Sequence, residues 1–167
     1  MTYSGHLIFH TQDAYGELRV LDNGDQHLLS FGPGDEQSAC FKANPGRPVF
    51  EYIQAMLLPL LFHQPKKVLC LGLGAGTLIT SLHKHCRGIK IDAIEMRQAV
   101  IDIAYDYFYL PKSKQIQVFC QDAEEYMQNN QKKYDLIFSD LYNFDGLDEL
   151  QIQEAFLIRC KKALKPN

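Results

Sequence analysis

The sequence lacks an apolar segment long enough to cross a membrane. The longest strongly apolar run, Met56 to Phe62, contains Pro59 and is far shorter than the roughly 20 residues that a bilayer requires. The opening residues, MTYSGHLIFH, also lack the basic region and apolar stretch of a secretory signal. We therefore expect a cytoplasmic protein that has no membrane partner.

An excess of positive charge is also missing. The chain has 17 Lys and Arg against 20 Asp and Glu, a formal net charge of -3. Binding to nucleic acid rests on clustered Lys and Arg that neutralise phosphates, so this composition predicts no nucleic-acid partner. A cationic or neutral small molecule fits the charge better.

The cysteines lack the spacing of a metal site or a redox pair. Their number is odd, no C-x-x-C occurs, and most lie in apolar runs, which is typical of reduced core thiols. His83, His85 and Cys86 do form a local cluster, but two residues apart on a helix the histidines diverge. We expect no metal cofactor. The five cysteines are Cys40, Cys70, Cys86, Cys120 and Cys160.

The first 46 residues carry the pattern of a small antiparallel β segment. Short apolar runs alternate with turn signals, and Asn23-Gly24 is typical of a type I′ hairpin. The run NPGRP, from Asn44 to Pro48, is expected to form a further turn. The sequence therefore predicts a separate N-terminal segment, residues 1–46, made of short strands joined by turns.

From residue 47 onward the pattern changes to alternating helices and strands. A first helix is expected to kink or end at Pro59. Such alternation predicts a Rossmann-like α/β domain, residues 47–167, with a parallel sheet covered on both faces. The predicted strands are Val68–Leu73, Ile89–Ile94, Ile116–Cys120 and Leu136–Phe138, and the predicted helices are Thr77–His85, Met96–Tyr109, Ala123–Asn130 and Asp148–Leu164.

The last predicted helix should bury Phe156, Leu157, Cys160 and Leu164. The run KKALKPN then ends it, and no later strand is present to cover the apolar edge of the fourth strand. We therefore expect a fragment of a longer protein that lacks the last strands of its sheet; the alternative is an edge strand covered by something else.

A glycine loop lies between the first predicted strand of the sheet and the helix after it. Gly72, Gly74 and Gly76 let the backbone approach a ligand, and Glu95 ends the next strand about 20 residues downstream. This order is typical of a site for an adenosine-type cofactor, in which the acid accepts the ribose hydroxyls. Met96, directly after the acid, is predicted to contact the cofactor.

Acids follow every later strand of the predicted sheet. Asp122 could accept from an adenine amino group, and Asp140 would face the reacting end of the ligand. Helix capping is the alternative role for both Glu95 and Asp122. For Asp122 the capping and binding roles are more evenly supported than for Glu95. Tyr142 and Asn143 follow Asp140 and are candidates for substrate binding, although Tyr142 is equally well read as a packing residue.

The order of these motifs resembles the spermidine synthase-like aminopropyltransferases, within the class I methyltransferase fold. The resemblance implies an adenosyl sulfonium co-substrate and an amine acceptor. It implies that Glu95 binds ribose, that Asp122 and Ala123 contact adenine, that Gln37 lies by the nucleoside, and that Asp140 binds and deprotonates the amine. The runs that carry it are DEQS, EYIQAMLLPLLF, LGLGAGT, IDAIE, CQDAEEYM and YDLIFSDLYN, and they extend over nearly the whole chain.

Two departures from the family pattern bear on activity. Ala75 stands where the family loop GGGDGG has an aspartate for the donor ammonium, and Asn143 replaces the second acid of its D-x-x-D motif. Each lost carboxylate removes charge-assisted hydrogen bonds to a cation, worth about 1.5–3 kcal/mol apiece. The family's Tyr-His-Glu stretch is not reproduced around Glu51-Tyr52.

Three functions remain open from the sequence. The first is aminopropyl transfer from decarboxylated S-adenosylmethionine to an amine, and the second is methyl transfer from S-adenosylmethionine. The third is a binding or assembly module that has lost catalysis. A nicotinamide-dependent oxidoreductase ranks last, because Thr77 stands where a helix-packing glycine would come early. The oligomeric state is not fixed by the sequence, and a homo-oligomer stays open.

Overall fold

Two sheets of different kinds follow one another along the chain. The computed structural model describes residues 5–32, 36–143 and 146–166. Within them a five-stranded antiparallel sheet precedes a four-stranded parallel sheet, as the sequence predicts. The first sheet has strands β1 (His6–Asp13), β2 (Gly16–Asp22), β3 (Gln26–Ser30), β4 (Glu36–Phe41) and β5 (Asn44–Pro48), paired in chain order.

The Asn23-Gly24 hairpin between β2 and β3 is confirmed, but its predicted type I′ turn is wrong. Gly24 has φ +97°, and among the described non-glycine residues Tyr109 alone has a positive φ, so Asn23 cannot adopt the type I′ conformation. The loop has three residues instead. The Asn23 N–H donates to Gln26 O at 3.1 Å, and the Asp22 carboxylate accepts from Gly24 N–H at 2.8 Å.

The run NPGRP forms an edge strand, β5, where a turn was expected. It pairs with β4 through Cys40 with Pro48 and Phe41 with Asn44, with a register shift between them. An edge position with a bulge tolerates proline, which has no N–H to give to a ladder. The predicted division of the chain after residue 46 falls inside this strand.

The second part of the chain alternates helices and strands. Its elements are α1 (Glu51–Met56), β6 (Lys67–Leu71), α2 (Thr77–His85), β7 (Lys90–Glu95), α3 (Gln98–Tyr107), β8 (Ile116–Cys120), α4 (Ala123–Asn129), β9 (Leu136–Ser139), β10 (Tyr142–Asn143), β11 (Gly146–Leu147) and α5 (Glu154–Ala163). The parallel sheet has the order β8-β7-β6-β9 and is covered by helices on both faces. Two 3-10 helices, Leu58–Leu61 and Glu149–Ile152, and a short hairpin of β10 and β11 complete the described fold.

The last helix is shorter than predicted, because the 3-10 helix and Gln153 separate it from Asp148. Phe156 is fully buried, but Leu157 is 51% exposed and Leu164 is 37% exposed, so the prediction that these two leucines are buried is wrong. The apolar stripe of α5 is therefore narrower than the sequence suggested. None of the helices that the structure describes is both long and apolar enough to span a membrane.

Three apolar clusters hold the molecule together. One lies on the α2 side of the parallel sheet, and a second lies under α4 and α5. The third joins the two sheets, with Leu18, Val20 and Leu29 from the antiparallel sheet packed against Val100 and other side chains of α3. This third cluster places the antiparallel sheet beside the carboxyl ends of the parallel strands.

Hydrogen bonds to helices α2 and α3 reinforce this docking. Thr77 Oγ1 donates to the Ala39 carbonyl of β4 at 3.0 Å, and Ser81 Oγ donates to the Gly46 carbonyl of β5 at 2.9 Å. His27 Nδ1 lies 2.7 Å from the carbonyl oxygen of Tyr107, at the end of α3. The first turns of α2 and the end of α3 are thus fixed to the antiparallel sheet.

Candidate active site

A cavity of about 320 Å³ lies where the carboxyl ends of the parallel strands meet the antiparallel sheet. Strand order reverses between β6 and β9, and open α/β sheets bind their ligands at such a switch point. The volume falls within the range of about 300–1,000 Å³ that is typical of small-molecule sites. Its polar and charged lining residues include Gln37, Ser38, Tyr52, Glu95, Arg97, Asp122, Asp140 and Asp148.

The glycine loop forms the floor of the cavity between β6 and α2. Gly72, Gly74 and Gly76 have φ values of +93°, +53° and +75°, a region that L side chains rarely adopt. A Cβ at position 72 would overlap the carbonyl group of Asp140, and one at position 76 would lie 2.9 Å from Leu110 Cδ1. The first glycine therefore lets the loop lie directly against the strand end that carries Asp140.

Glu95 stands at the end of β7 and links the glycine loop to the start of α3. Its Oε2 accepts from the Leu73 N–H at 3.2 Å, and its Oε1 accepts from the Arg97 N–H at 2.9 Å. Burial raises the pKa of Glu95 above its ordinary value, although these backbone donors oppose the shift. The carboxylate thus supports the backbone near the helix start and also faces the cavity.

Asp122 also combines both roles that the sequence allowed. It is the N-cap of α4, where its Oδ1 accepts from the Glu125 N–H at 2.9 Å, and it lines the cavity together with Ala123. Met96 lines the same region with 43% of its surface exposed. Gln37, on β4 of the antiparallel sheet, also lines the cavity. The residues predicted to surround a nucleoside therefore line one cavity, except for Gly76, which packs against Leu110 instead.

Asp140 follows β9 and faces the same cavity. Its N–H donates to the Leu71 carbonyl at 2.8 Å, which anchors it beside the strand that leads into the glycine loop. Burial raises the pKa of Asp140 to about 6, while a hydrogen bond from the Tyr52 hydroxyl works in the opposite direction. An aspartate whose pKa lies near neutrality can take up a proton at physiological pH.

Tyr52 of α1 is a site residue that the sequence reasoning missed. Its hydroxyl contacts Asp140, and burial, followed by the charge of Asp140, raises the pKa of Tyr52, so the phenol remains a donor. The available signal was its place at the start of a helix in the run EYIQAM, at the point where the family has its Tyr-His-Glu stretch. No local pattern indicated that it would meet Asp140.

Arg97 was also missed, and it joins the antiparallel sheet to the cavity wall. Its side chain is 7% exposed and donates twice to the Asp13 carboxylate, at 2.8 and 3.0 Å. A further bond reaches the Gly16 carbonyl at 3.0 Å, and the guanidinium lies over the rings of Phe31 and Tyr15 at 4.9 and 5.9 Å. No local motif predicts a pair so far apart in sequence.

The structure places Ala75 and Tyr142, whereas it does not describe the side chain of Asn143. Ala75 is 1% exposed and packs in the cluster of Leu18, Val20 and Cys40, so position 75 contacts the antiparallel sheet. Tyr142 lines the cavity and is 48% exposed, whereas the side chain of Asn143 falls outside the described part of the structure. No group of His, Cys, Asp and Glu suited to a metal ion occurs among the described residues.

The sequence profile of the Spermine/spermidine synthase domain matches residues 50–167, which is most of the chain. The chain belongs to this family. The match begins just before α1 and includes the glycine loop, Glu95, Asp122 and Asp140. The resemblance found in the sequence is thereby confirmed.

A polyamine aminopropyltransferase of Vibrio vulnificus (strain CMCP6) is 30% identical over 169 residues, covering 96% of this chain and 56% of that protein. A second one, from Chromobacterium violaceum, is 28% identical and is covered over 60% of its length. This family member therefore spans little more than half the length of these relatives.

Solved structures share the fold. A probable spermidine synthase from Corynebacterium glutamicum superposes with a TM-score of 0.79 at 18% identity, over 99% of this chain and 62% of that one. Human methyltransferase-like protein 13, solved in complex with SAH, gives a TM-score of 0.64 at 25% identity, over 70% of this chain and 61% of that one. The predicted class I methyltransferase type of α/β fold is confirmed.

Proposed function

We propose that this family member transfers an aminopropyl group from decarboxylated S-adenosylmethionine to the nitrogen of a small amine. The observation that carries this proposal is the Asp140 carboxyl, which lines the cavity and is hydrogen-bonded to Tyr52, on a residue whose backbone carbonyl lies against Gly72 of the glycine loop. Relatives named polyamine aminopropyltransferases support this reading over methyl transfer.

The nucleoside of the donor would occupy the part of the cavity between β6, β7 and α4. Glu95 would accept from the ribose hydroxyls, since a carboxylate that already accepts two backbone bonds retains further lone pairs. Asp122 and Ala123 would meet the adenine, with Met96 and Gln37 on either side. The sulfonium end would approach the loop at Gly74, which lines the cavity and has no described neighbour closer than 3.6 Å to an added Cβ.

The acceptor amine would lie at Asp140. Its nitrogen forms a bond to the aminopropyl carbon next to sulfur, the carbon–sulfur bond breaks, and the neutral thioether leaves with the bonding electron pair. The nitrogen loses one proton, which the Asp140 carboxylate accepts and passes to water. A pKa near 6 leaves Asp140 largely ionised, and able to take that proton, at neutral pH.

The charges around the cavity favour a cationic amine over an anionic acceptor. Glu95, Asp122, Asp140 and Asp148 contribute four carboxyl groups, whereas the lining cation Arg97 is paired with Asp13. A polyamine-type substrate, protonated in solution, is attracted to such a cavity and loses its proton only at Asp140.

Mass spectrometry tests the proposal directly. The chain is incubated with decarboxylated S-adenosylmethionine and putrescine, with Asp140→Asn as the inactive control, and we expect an aminopropylated product from the unmodified chain alone. A parallel incubation with S-adenosylmethionine should give no methylated amine. Methylation without aminopropylation would overturn the proposal in favour of a methyltransferase.

Binding without turnover would instead identify a non-catalytic module. Donor binding is measured separately from the thermal shift produced by 5′-methylthioadenosine, because a ligand at 100 times its dissociation constant stabilises the folded state by about 2.7 kcal/mol. A shift in melting temperature with no product from any tested amine would therefore leave the nucleoside site standing and remove the catalytic role of Asp140.

A further inference from the structure

The amino ends of the parallel strands carry a dense set of lysines, opposite the carboxyl ends that form the cavity. Eight of the 17 Lys and Arg residues lie on five neighbouring segments of this amino edge, and the overall charge of -3 does not show this distribution. We call them the lysine row: Lys114 before β8, Lys90 at the start of β7, Lys66 and Lys67 at the start of β6, Lys132 and Lys133 before β9, and Lys162 and Lys165 at the end of α5.

Strand pairing sets the order of the lysine row. Lys67 and Lys90 are partners in the register of β6 and β7, and the Lys90 N–H donates to the Lys66 carbonyl at 2.8 Å. The residue after Lys90 donates its N–H to the Gln115 carbonyl at 2.8 Å, which places Lys114 on the β8 side of Lys90. Lysines that are far apart in the sequence therefore lie next to one another along the edge.

The lysine row continues on the other side of β6, where β9 lies. The carbonyl of Tyr134, the residue after Lys133, accepts from the Lys165 N–H at 2.9 Å. The Lys133 ammonium also donates to the Lys162 carbonyl. Because neighbouring strands lie about 4.8 Å apart, the five adjacent segments spread their ammonium groups over roughly 20 Å.

Two acids form ion pairs with the lysine row in the described structure. Asp92 pairs with Lys132 at 2.9 Å and lies 3.9 Å from the Lys67 ammonium. Asp135 pairs with Lys165 at 2.6 Å. All eight lysines except the half-buried Lys67 are exposed. Two carboxylates among eight exposed or half-exposed ammonium groups leave a positive potential along this edge.

The composition of the lysine row favours phosphate groups over other anionic partners. Protein interfaces are depleted in Lys and enriched in aromatic residues and Arg, and membrane-binding surfaces add apolar anchors. The row consists of lysine alone. The Lys67 ammonium lies 4.9 Å from the centre of the Tyr134 ring, and the Lys132 ammonium lies 4.8 Å from that of Phe119. These rings support the lysines from below and leave the outer surface to contacts with phosphates, which carry no sequence information.

We propose that the lysine row binds the phosphodiester backbone of a nucleic acid without regard to base sequence. Our expectation of no nucleic-acid partner rested on the charge of the whole chain, whereas binding to phosphates depends on local clusters of Lys and Arg. None of these lysines lines the cavity in the described structure, so the inference does not depend on the proposed aminopropyl transfer. The cavity, at the opposite ends of the strands, faces away from the bound polyanion.

Fluorescence anisotropy tests the inference with labelled RNA and DNA duplexes of about 20 base pairs and unrelated sequences. The test variant neutralises three lysines of the row that form no ion pair in the described structure: Lys66→Gln, Lys90→Gln and Lys133→Gln. The control variant removes the same charge from the antiparallel sheet and its β4–β5 turn: Arg19→Gln, Lys42→Gln and Arg47→Gln. Thermal melts establish that both variants fold.

We expect the unmodified chain to bind both duplexes with a Kd of about 10⁻⁶–10⁻⁴ M at physiological salt, and the logarithm of its affinity to fall linearly with the logarithm of the salt concentration. The test variant should raise the Kd at least about 10-fold at low salt and reduce the slope by about 2–3, since each lost phosphate contact reduces it by about 1. The control variant should bind as the unmodified chain does.

Equal binding by the two variants, or no binding by the unmodified chain at low salt, would overturn the inference. Polyglutamate and vesicles of anionic lipid are the alternative probes, and binding to either of them without binding to the duplexes would overturn it in favour of that class of partner. Tighter binding to one duplex would support it and identify RNA or DNA as the source of the phosphates. If the test variant does not fold, the salt dependence of the unmodified chain decides: a slope near zero contradicts phosphate binding, and a slope of about -3 or steeper supports it.

Discussion

At the scale of single residues, the candidate chemistry depends on the burial and the hydrogen bonding of one carboxyl group, that of Asp140. Asp140 is buried enough that its pKa rises to about 6, and Tyr52 limits that rise by donating a hydrogen bond to the charged form. Burial makes the group a better proton acceptor once it is ionised, while Tyr52 keeps it ionised at neutral pH. The two effects together set the pH range in which Asp140 is ionised and could act as the proposed proton acceptor.

The first prediction concerns this pH range. The acid limb of kcat/KM should have its midpoint near pH 6, where Asp140 loses its proton. Tyr52→Phe removes the hydrogen bond that favours the carboxylate, so the midpoint should move to higher pH, and activity lost at pH 6.5 should return at pH 8. Tyr105→Phe, on α3 outside the cavity, is the control and should leave the profile in place. A downward shift for Tyr52→Phe would contradict the assignment.

The second prediction is a gain in stability when the Asp140 carboxyl, the proposed proton acceptor, is removed. The folded-state pKa of Asp140 is raised, so its favourable contribution is present below about pH 4 and is lost as the pH rises through about 6. At pH 7.5, Asp140→Asn should therefore raise the free energy of unfolding by on the order of 1–2 kcal/mol, as measured by urea denaturation. The gain should vanish at pH 4; a gain that is equal at both pH values would point to packing instead.

The site residues differ in whether nearby sequence or distant contacts determine their role. Glu95 and Asp122 follow strands in a pattern that the sequence shows, and the structure places both in the cavity. Tyr52 and Arg97 depend on contacts with residues about 90 positions away, which local patterns do not encode. Asp148 was predicted to begin the last helix, but it caps a 3-10 helix, and its place beside Leu141 follows from a hairpin that the sequence reasoning did not anticipate.

At the scale of elements, the antiparallel sheet forms a wall of the cavity rather than a separate appendage. The β1–β2 hairpin contributes Asp13 and Tyr15, and Arg97 at the N-cap of α3 binds or contacts both. Burial raises the pKa of Asp13, but the hydrogen bonds and charge of Arg97, with the Tyr15 backbone, outweigh it and leave the pKa lowered. The hairpin and the parallel domain are thus joined at the edge of the site.

The third prediction tests this junction. Arg97→Lys keeps the charge but loses the paired hydrogen bonds and the contact with the two rings, so it should lower the free energy of unfolding by about 1–3 kcal/mol. It should also weaken binding of 5′-methylthioadenosine, because Tyr15 and Phe31 line the cavity. Arg19→Lys is the control: Arg19 pairs with Glu17 near the surface, where such bridges are worth at most about 1 kcal/mol. Equal, small decreases in the free energy of unfolding of both variants would contradict a role for Arg97 in joining the β1–β2 hairpin to the parallel domain.

Strong periodic patterns predicted the elements well, and weak turn signals did not. Thr77–His85 has the same bounds in sequence and structure, since its glycine start and apolar stripe are both local. NPGRP became an edge strand because β4 offered a partner, which outweighed the turn preference of proline and glycine. Helix periodicity also overestimated α5, because no apolar partner covers Leu157 in the described structure.

At the scale of the whole molecule, two groups of acids respond to pH in opposite directions. Glu95 and Asp140 in the cavity have raised pKa values, chiefly through burial. For Asp22, a bond from the Gly24 backbone and then Lys42 bring the pKa to about 2. Asp135 reaches about 2 because bonds from Lys165 and the Lys66–Lys67 backbone outweigh its burial. The first group destabilises the fold toward neutral pH, and the second stabilises it above about pH 4.

The fourth prediction follows from this division. Groups with lowered pKa values lose their stabilising effect as the pH falls from about 4 to about 2, so the urea midpoint should be highest near pH 5 and lower at both pH 7.5 and pH 3. Asp135→Asn should cost about 1–3 kcal/mol at pH 7 and flatten the acid side of the profile alone. A profile in which Asp135→Asn leaves the acid side unchanged would show that other groups control acid unfolding.

The contact between Gly72 and Asp140 limits which positions of the glycine loop can be changed by engineering. Position 72 has φ +93° and no room for a Cβ against the Asp140 carbonyl, so a library at that site should return glycine alone. Position 74, at φ +53°, has its nearest described neighbour, Ser38 Oγ, 3.6 Å from an added Cβ, and asparagine should be accepted there. Variants of the glycine loop can therefore be made at position 74, while glycine at position 72 keeps the loop against the strand end that carries Asp140.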